Sequence, residues 1–138
     1  MKNRLGGLAR RATFIGELKK EKPPFLHLDA GDAFHKGYNI SEAERPGVMS
    51  AIGVYLAAYK QMGLQAYTIG DRDLGLGLKT LRSVARKASF PLLSSNVVHK
   101  DSGAKVFKGH TIIRKAGFKI AVIGATTSLF VNRTQLEE

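Results

Sequence analysis

Two short apolar stretches in this sequence, Phe25-Leu-His-Leu-Asp-Ala30 and Ala66-Tyr-Thr-Ile69, each run directly into Gly-Asp, at Gly31-Asp32 and at Gly70-Asp71. A short apolar run closed by glycine reads as a buried strand ending in a tight turn. Between the two, Val48, Ile52, Tyr55, Tyr59 and Met62 recur at spacings of four and three, which puts them on one face of a helix. Gly63 supplies its C-terminal stop. Strand, helix, strand is the pattern of a parallel pair joined by a crossover. In such sheets functional groups gather just beyond the carboxyl ends of the strands, where Asp32 and Asp71 both fall.

The rest of the chain extends the alternation. Leu5, Leu8, Ala12, Ile15 and Leu18 predict a first helix to about Lys20, stopped by Pro23-Pro24. The stretch from Phe34 to Pro46 reads as a polar loop. Leu74, Leu78, Leu81, Ala85 and Ala88 predict one further helix, and Phe90 to Ser94 a third strand with Pro91 at its start, where a missing donor does least harm. His110 to Lys115, a turn at Ala116-Gly117, and Phe118 to Gly124 predict an antiparallel hairpin. The expected architecture is a layered α/β fold with a mainly parallel sheet, flanking helices and a C-terminal antiparallel hairpin, one unit over residues 1–138. From Thr126 onward no period predicts an element.

Composition narrows the function classes. With no cysteine there is no disulfide framework, thiolate metal site or cysteine nucleophile. Lysine and arginine outnumber acids 22 to 11, a net charge of +11. Such a field favours anionic partners. The same charge equally describes a solvated basic surface, and no arginine-rich run or aromatic ladder turns it into a nucleic-acid motif. No stretch approaches the roughly 18 apolar residues of a membrane span, and the first ten residues lack the continuous apolar core of a secretion signal.

Asp32 and Asp71, projecting from neighbouring strand ends, could share a hard divalent cation or bridge two. Each could equally cap its own turn or the following helix. Asp29 is expected to point away from Asp32. His27 alternates with apolar residues and is expected to be a satisfied core histidine; His35 is expected to be a solvated loop residue. No His-x-His pair exists to hold zinc. Gly75-Leu-Gly-Leu-Lys79-Thr80 fails the spacing of a phosphate loop.

Leu28-Asp-Ala-Gly-Asp-Ala-Phe34 resembles the second metal motif of the 5′-nucleotidase and UDP-sugar hydrolase family, within the calcineurin-like metallophosphoesterases. Gly6-Gly-Leu-Ala-Arg-Arg-Ala-Thr13 is similar to the glycine-led helix before that motif, and Tyr67-Thr-Ile-Gly70 to the strand leading into the family's Gly-Asn-His-Glu signature. Phe90-Pro-Leu-Leu-Ser-Ser-Asn-Val97 and Phe118-Lys-Ile-Ala-Val-Ile-Gly-Ala-Thr126 resemble the two segments that follow.

The resemblance implies a partial metallophosphoesterase domain that handles a nucleotide or other phosphorylated small molecule with divalent metal ions (zinc, manganese or magnesium). It implies Asp32 as the metal-bridging aspartate, Asp71 as a metal ligand in place of an asparagine, and Arg72 and Asn96 as substrate contacts. Arg72 replaces the histidine that assists at the phosphate, and Gly75 the aspartate that orients it, so no catalytic acid–base residue is assigned. The family's first ligands would precede Met1 and its later histidines would follow Glu138. Members are commonly periplasmic or exported. The resemblance thus implies weak or absent hydrolysis, and the rival expectation is a non-catalytic binding module for an anionic ligand.

Overall fold

The computed structural model describes residues 6–21 and 24–127. Three strands, β1 (Leu28–Asp29), β2 (Ala66–Thr68) and β3 (Leu92–Leu93), form a parallel sheet in the order β1-β2-β3. Leu28 pairs with Ala66 and Asp29 with Tyr67, while Tyr67 also pairs with Leu92 and Thr68 with Leu93. β1 and β3 are shorter than their apolar runs predict.

Helix α1 (Leu8–Glu21) precedes the sheet and packs against α2 (Arg45–Met62), the crossover between β1 and β2. The expected loop ends two residues earlier than predicted, because Pro46 sits in the first turn of α2, where its missing N–H has no helical partner to lose. Gly63 ends the helix in the left-handed conformation at φ 69°. The single helix predicted from Leu74 to Ala88 is two: α3 (Asp71–Leu74) and α4 (Leu78–Lys87). The break has a steric cause: a Cβ at Gly75 would collide with the Tyr38 carbonyl, and Gly77 takes a positive φ of 81°.

The core lies between the sheet and α2 and is aromatic. Tyr59 and Tyr67 are fully buried. The Phe34 ring stacks on Tyr67 at 4.6 Å between centroids, and Phe90 meets Tyr59 edge-on at 5.8 Å, geometries that suit aromatic quadrupoles.

Strands β4 (His110–Lys115) and β5 (Phe118–Ile123) form the predicted hairpin. Ala116 and Gly117 both take positive φ, 49° and 82°, as the twist of a two-residue hairpin requires. It joins the sheet through a parallel bridge of Leu93 with Lys108, and through hydrogen bonds from Ser94 N to Lys108 O and from Ser95 N to Gly124 O at 2.9 and 2.7 Å.

Candidate functional site

The β1 turn is held locally before anything distant reaches it. Asp29 Oδ1 accepts the Gly31 N–H at 2.9 Å, and Gly31 and Asp32 both take positive φ, 105° and 61°. Asp is among the few residues that tolerate this conformation. On its other oxygen Asp29 meets Arg11 and the Tyr59 hydroxyl, each at 2.8 Å. It therefore serves the helices.

The β2 turn opens α3, and its decisive residue is Asp73. This carboxyl is fully buried. Its Oδ2 accepts the Tyr67 hydroxyl at 2.7 Å, the Asp32 N–H at 2.9 Å and the Gly70 N–H at 3.0 Å; its Oδ1 accepts the Phe34 N–H at 3.3 Å. One carboxyl thus ties both Gly-Asp turns and the central strand together. Tyr67 strengthens the tie, since its oxygen accepts the Ala33 N–H at 3.0 Å. Desolvation pushes the Asp73 pKa up to about 6, against the donors from Tyr67, Gly70 and Asp32.

The joined turns bring Asp32 and Asp71 together. The Arg72 N–H donates to Asp32 Oδ1 at 3.0 Å and to Asp71 Oδ1 at 3.1 Å. Partial desolvation at the turn raises the Asp32 pKa although its side chain reaches solvent; the Arg72 N–H opposes this, and the charge of Asp71 and a hydrogen bond with its carboxyl add to it. Asp71 is buried, whereas Asp32 and Arg72 face solvent. The Arg72 guanidinium lies over the Tyr38 ring, 5.7 Å from its centroid.

No family model matches the chain. Over 125 residues it is 41% identical to Protein UshA of Yersinia enterocolitica, covering 88% of this chain and 22% of that protein. It is 32% identical over 127 residues to a snake venom 5′-nucleotidase of Gloydius brevicauda, 88% of this chain and 20% of that one. The chain belongs to the 5′-nucleotidase family. It spans about a fifth of the length of the curated relatives it matches. Two solved structures share the fold. The 5′-nucleotidase precursor of Thermus thermophilus matches at TM-score 0.66 and 22% identity, over 88% of this chain and 23% of that one. The calcineurin-like phosphoesterase YfkN of Bacillus subtilis matches at 0.67 and 24%, over 87% and 40%.

Phosphoesterases of this family are in general metal-dependent. The Asp32–Asp71 pair has the right chemistry for a hard divalent ion: carboxyl oxygens whose mutual repulsion a cation would relieve. The number of donors falls short. Among the described residues no group of three His, Cys, Asp or Glu side chains is placed to hold an ion, and Asp73 is occupied by its four donors. These residues do not make a complete metal site.

The other expected residues lie elsewhere. Asn96, beyond β3, donates to the Thr126 carbonyl at 2.6 Å and accepts the Thr126 N–H at 2.8 Å, so its amide clamps that backbone. His27 is buried as expected but only half satisfied: Nδ1 lies 3.4 Å from the Met62 carbonyl, and Nε2 has no partner among the described residues. His35 closes its own loop, with Nε2 2.8 Å from the Asn39 carbonyl.

Sequence reasoning missed Asp73 and Tyr67. A signal for Asp73 existed: an acidic residue three positions after the glycine that opens a helix can reach back to that glycine's N–H.

Proposed function

We propose that this chain supplies part of the phosphate-handling face of a 5′-nucleotidase-like phosphoesterase, meeting a nucleotide or other phosphorylated small molecule at the paired turns and hydrolysing it weakly or not at all by itself. The observation that carries this reading is the Asp73 junction, which sets Asp32 beside Asp71 with Arg72 exposed next to them. Asp32 and Asp71 are the donors through which the chain would meet zinc, manganese or magnesium, completed by ligands outside this pair. A bound divalent ion would supply Lewis-acid charge at the phosphate.

Arg72 contacts the anion as a permanent cation. It cannot exchange a proton near neutral pH, so the general-acid contribution, about a hundred- to ten-thousand-fold in rate, is absent there. Asn96, whose amide holds the Thr126 backbone, would be a further substrate contact by its resemblance to the family's segment. Calorimetry with manganese and 5′-AMP, alongside phosphate release, tests the reading. Ion binding lost in Asp32→Ala with release near background is the expected result. Turnover at the roughly 10 s⁻¹ of an ordinary enzyme, abolished by that substitution, would overturn it.

A second reading, a binding module without turnover, is favoured by the seating of Arg72 on Tyr38, which pre-orients a cation without adding a proton-transfer group. Titration of 5′-AMP and inorganic phosphate into wild type and Arg72→Ala decides it. Equal, negligible heats exclude the module.

A further inference from the structure

One face of α4 and the segment at residues 106–108 border an open cleft of about 380 Å³. It shares no residue with the Gly-Asp junction. Its walls separate by chemistry: Leu92, Val106 and Phe107 give an apolar floor, Arg82, Arg86 and Lys108 stand around it, and no carboxylate among the described residues lines it. Leu92 and Phe107 are buried, so the floor belongs to the core and is preformed. Arg82 is held in place, with Nη2 3.1 Å from His99 Nε2. Among the described residues neither Arg86 nor Lys108 has an ion-pair partner.

We propose that this cleft binds a small organic anion with an apolar body, such as an aryl or alkyl carboxylate. The apolar part would rest on Leu92, Val106 and Phe107, and the anionic group would be met by the three cations. The volume falls in the range of small-molecule pockets, which are mostly apolar with a few fixed polar groups. Arg86 and Lys108, like charges beside one floor, repel one another, and a single anion relieves that repulsion. An added peptide strand is disfavoured here. The outer edge of β3 is already taken by the Leu93–Lys108 bridge, with Ser94 N donating to Lys108 O at 2.9 Å, so no free ladder faces the cleft.

The test is an NMR titration of the full chain with 3-phenylpropionate, with neutral 3-phenylpropanol, inorganic phosphate and an acidic peptide carrying one phenylalanine as comparators. A carboxylate probe keeps the experiment independent of the phosphate reading above. Saturable shifts at Leu92, Val106 and Phe107 with 3-phenylpropionate are expected, about tenfold weaker in the Arg86→Ala, Lys108→Ala double variant and with the alcohol. Both substituted side chains are exposed, and the same spectra verify that the fold is kept. The proposal is overturned if no shift saturates, if acid and alcohol bind equally, if phosphate alone reproduces the shifts, or if only the peptide binds.

Discussion

Replacing Asp73 by alanine removes the common acceptor of four donors: the Tyr67 hydroxyl and the N–H groups of Asp32, Gly70 and Phe34. A buried donor stripped of its partner costs about 1–3 kcal/mol. Tyr67 cannot readily swing away, because its oxygen is held by the Ala33 N–H. A water entering the vacated space would recover part of the loss, so the expected destabilisation is about 3–5 kcal/mol. That is a large share of the roughly 5–15 kcal/mol that holds a typical domain together. Asparagine separates geometry from charge. Its single oxygen can take the place of Oδ2, which carries three of the four bonds, and only the Phe34 N–H faces the new NH₂ group.

The sign of the pH effect follows from the pKa. Asp73 rises from 3.8 to about 6 in the native fold, so the native carboxyl holds its proton more tightly than the unfolded chain does. Its stabilisation is complete below about pH 4 and is lost as pH rises through about 6, a loss of about 3 kcal/mol at ~1.4 kcal/mol per pH unit. Asparagine does not titrate. Urea unfolding of the wild type, Asp73→Ala and Asp73→Asn at pH 4 and 7 should therefore show three things. Alanine is severely destabilised at both values; asparagine is mild at pH 7; and wild type loses ground to asparagine between the two. An alanine variant within about 1 kcal/mol of wild type would refute the junction, and an asparagine variant as damaged as alanine at pH 7 would show that the charge, not the acceptor, holds the turns.

Three other outcomes are expected. His27 is held below its ordinary pKa of 6.5, mainly by burial, so the native protein stays neutral there while the unfolded chain takes up a proton; stability should fall as pH drops below 6.5, and this slope should flatten in His27→Leu when urea midpoints are compared. Asp71→Asn should bring the Asp32 pKa down toward 3.8, since it removes the charge that helps raise it; carboxyl carbon NMR reads this directly, and an unmoved Asp32 would contradict the pairing. Gly70 has an ordinary φ of −82°, yet a Cβ there would run into the Asp32 carboxylate and stand 2.7 Å from its backbone nitrogen. Gly70→Ala should thus cost about 1–3 kcal/mol from crowding alone, visible as a lowered Tm.

The features legible in the sequence were those whose cause is local. The apolar face of α2 and its stop at Gly63 are set by spacing and by one left-handed residue. Ala116-Gly117 specifies its own turn and with it the hairpin register. The meeting of Asp32 and Asp71 could be anticipated because parallel strands end at one edge of the sheet. What stayed illegible depends on partners far along the chain. The period that drew Leu74 into the helix of Leu78 and Leu81 could not register the Tyr38 carbonyl packed against Gly75. Alternation placed His27 inside, but could not say that Nε2 would lack a partner among the described residues. Asp73 looks like a surface acid beside Arg72, until Asp32 N, 41 positions earlier, is found on its carboxylate.

The same distance-dependence bears on how scaffold and chemistry separate in this chain. A bond from Asp32 N to Asp73 and one from Arg72 N to Asp32 cross between the two turns in opposite directions, so each turn fixes the other. Such reciprocal bonding, centred on a buried acceptor, holds its position whatever side chain occupies position 72. Between the two carboxyls, the charge of Asp71 and a hydrogen bond with its side chain both make ionisation of Asp32 harder. On the function proposed above, a cation is what would neutralise the two carboxyls that this buried aspartate holds in register. This is why the cation and phosphate titrations, rather than turnover alone, are the experiments that discriminate.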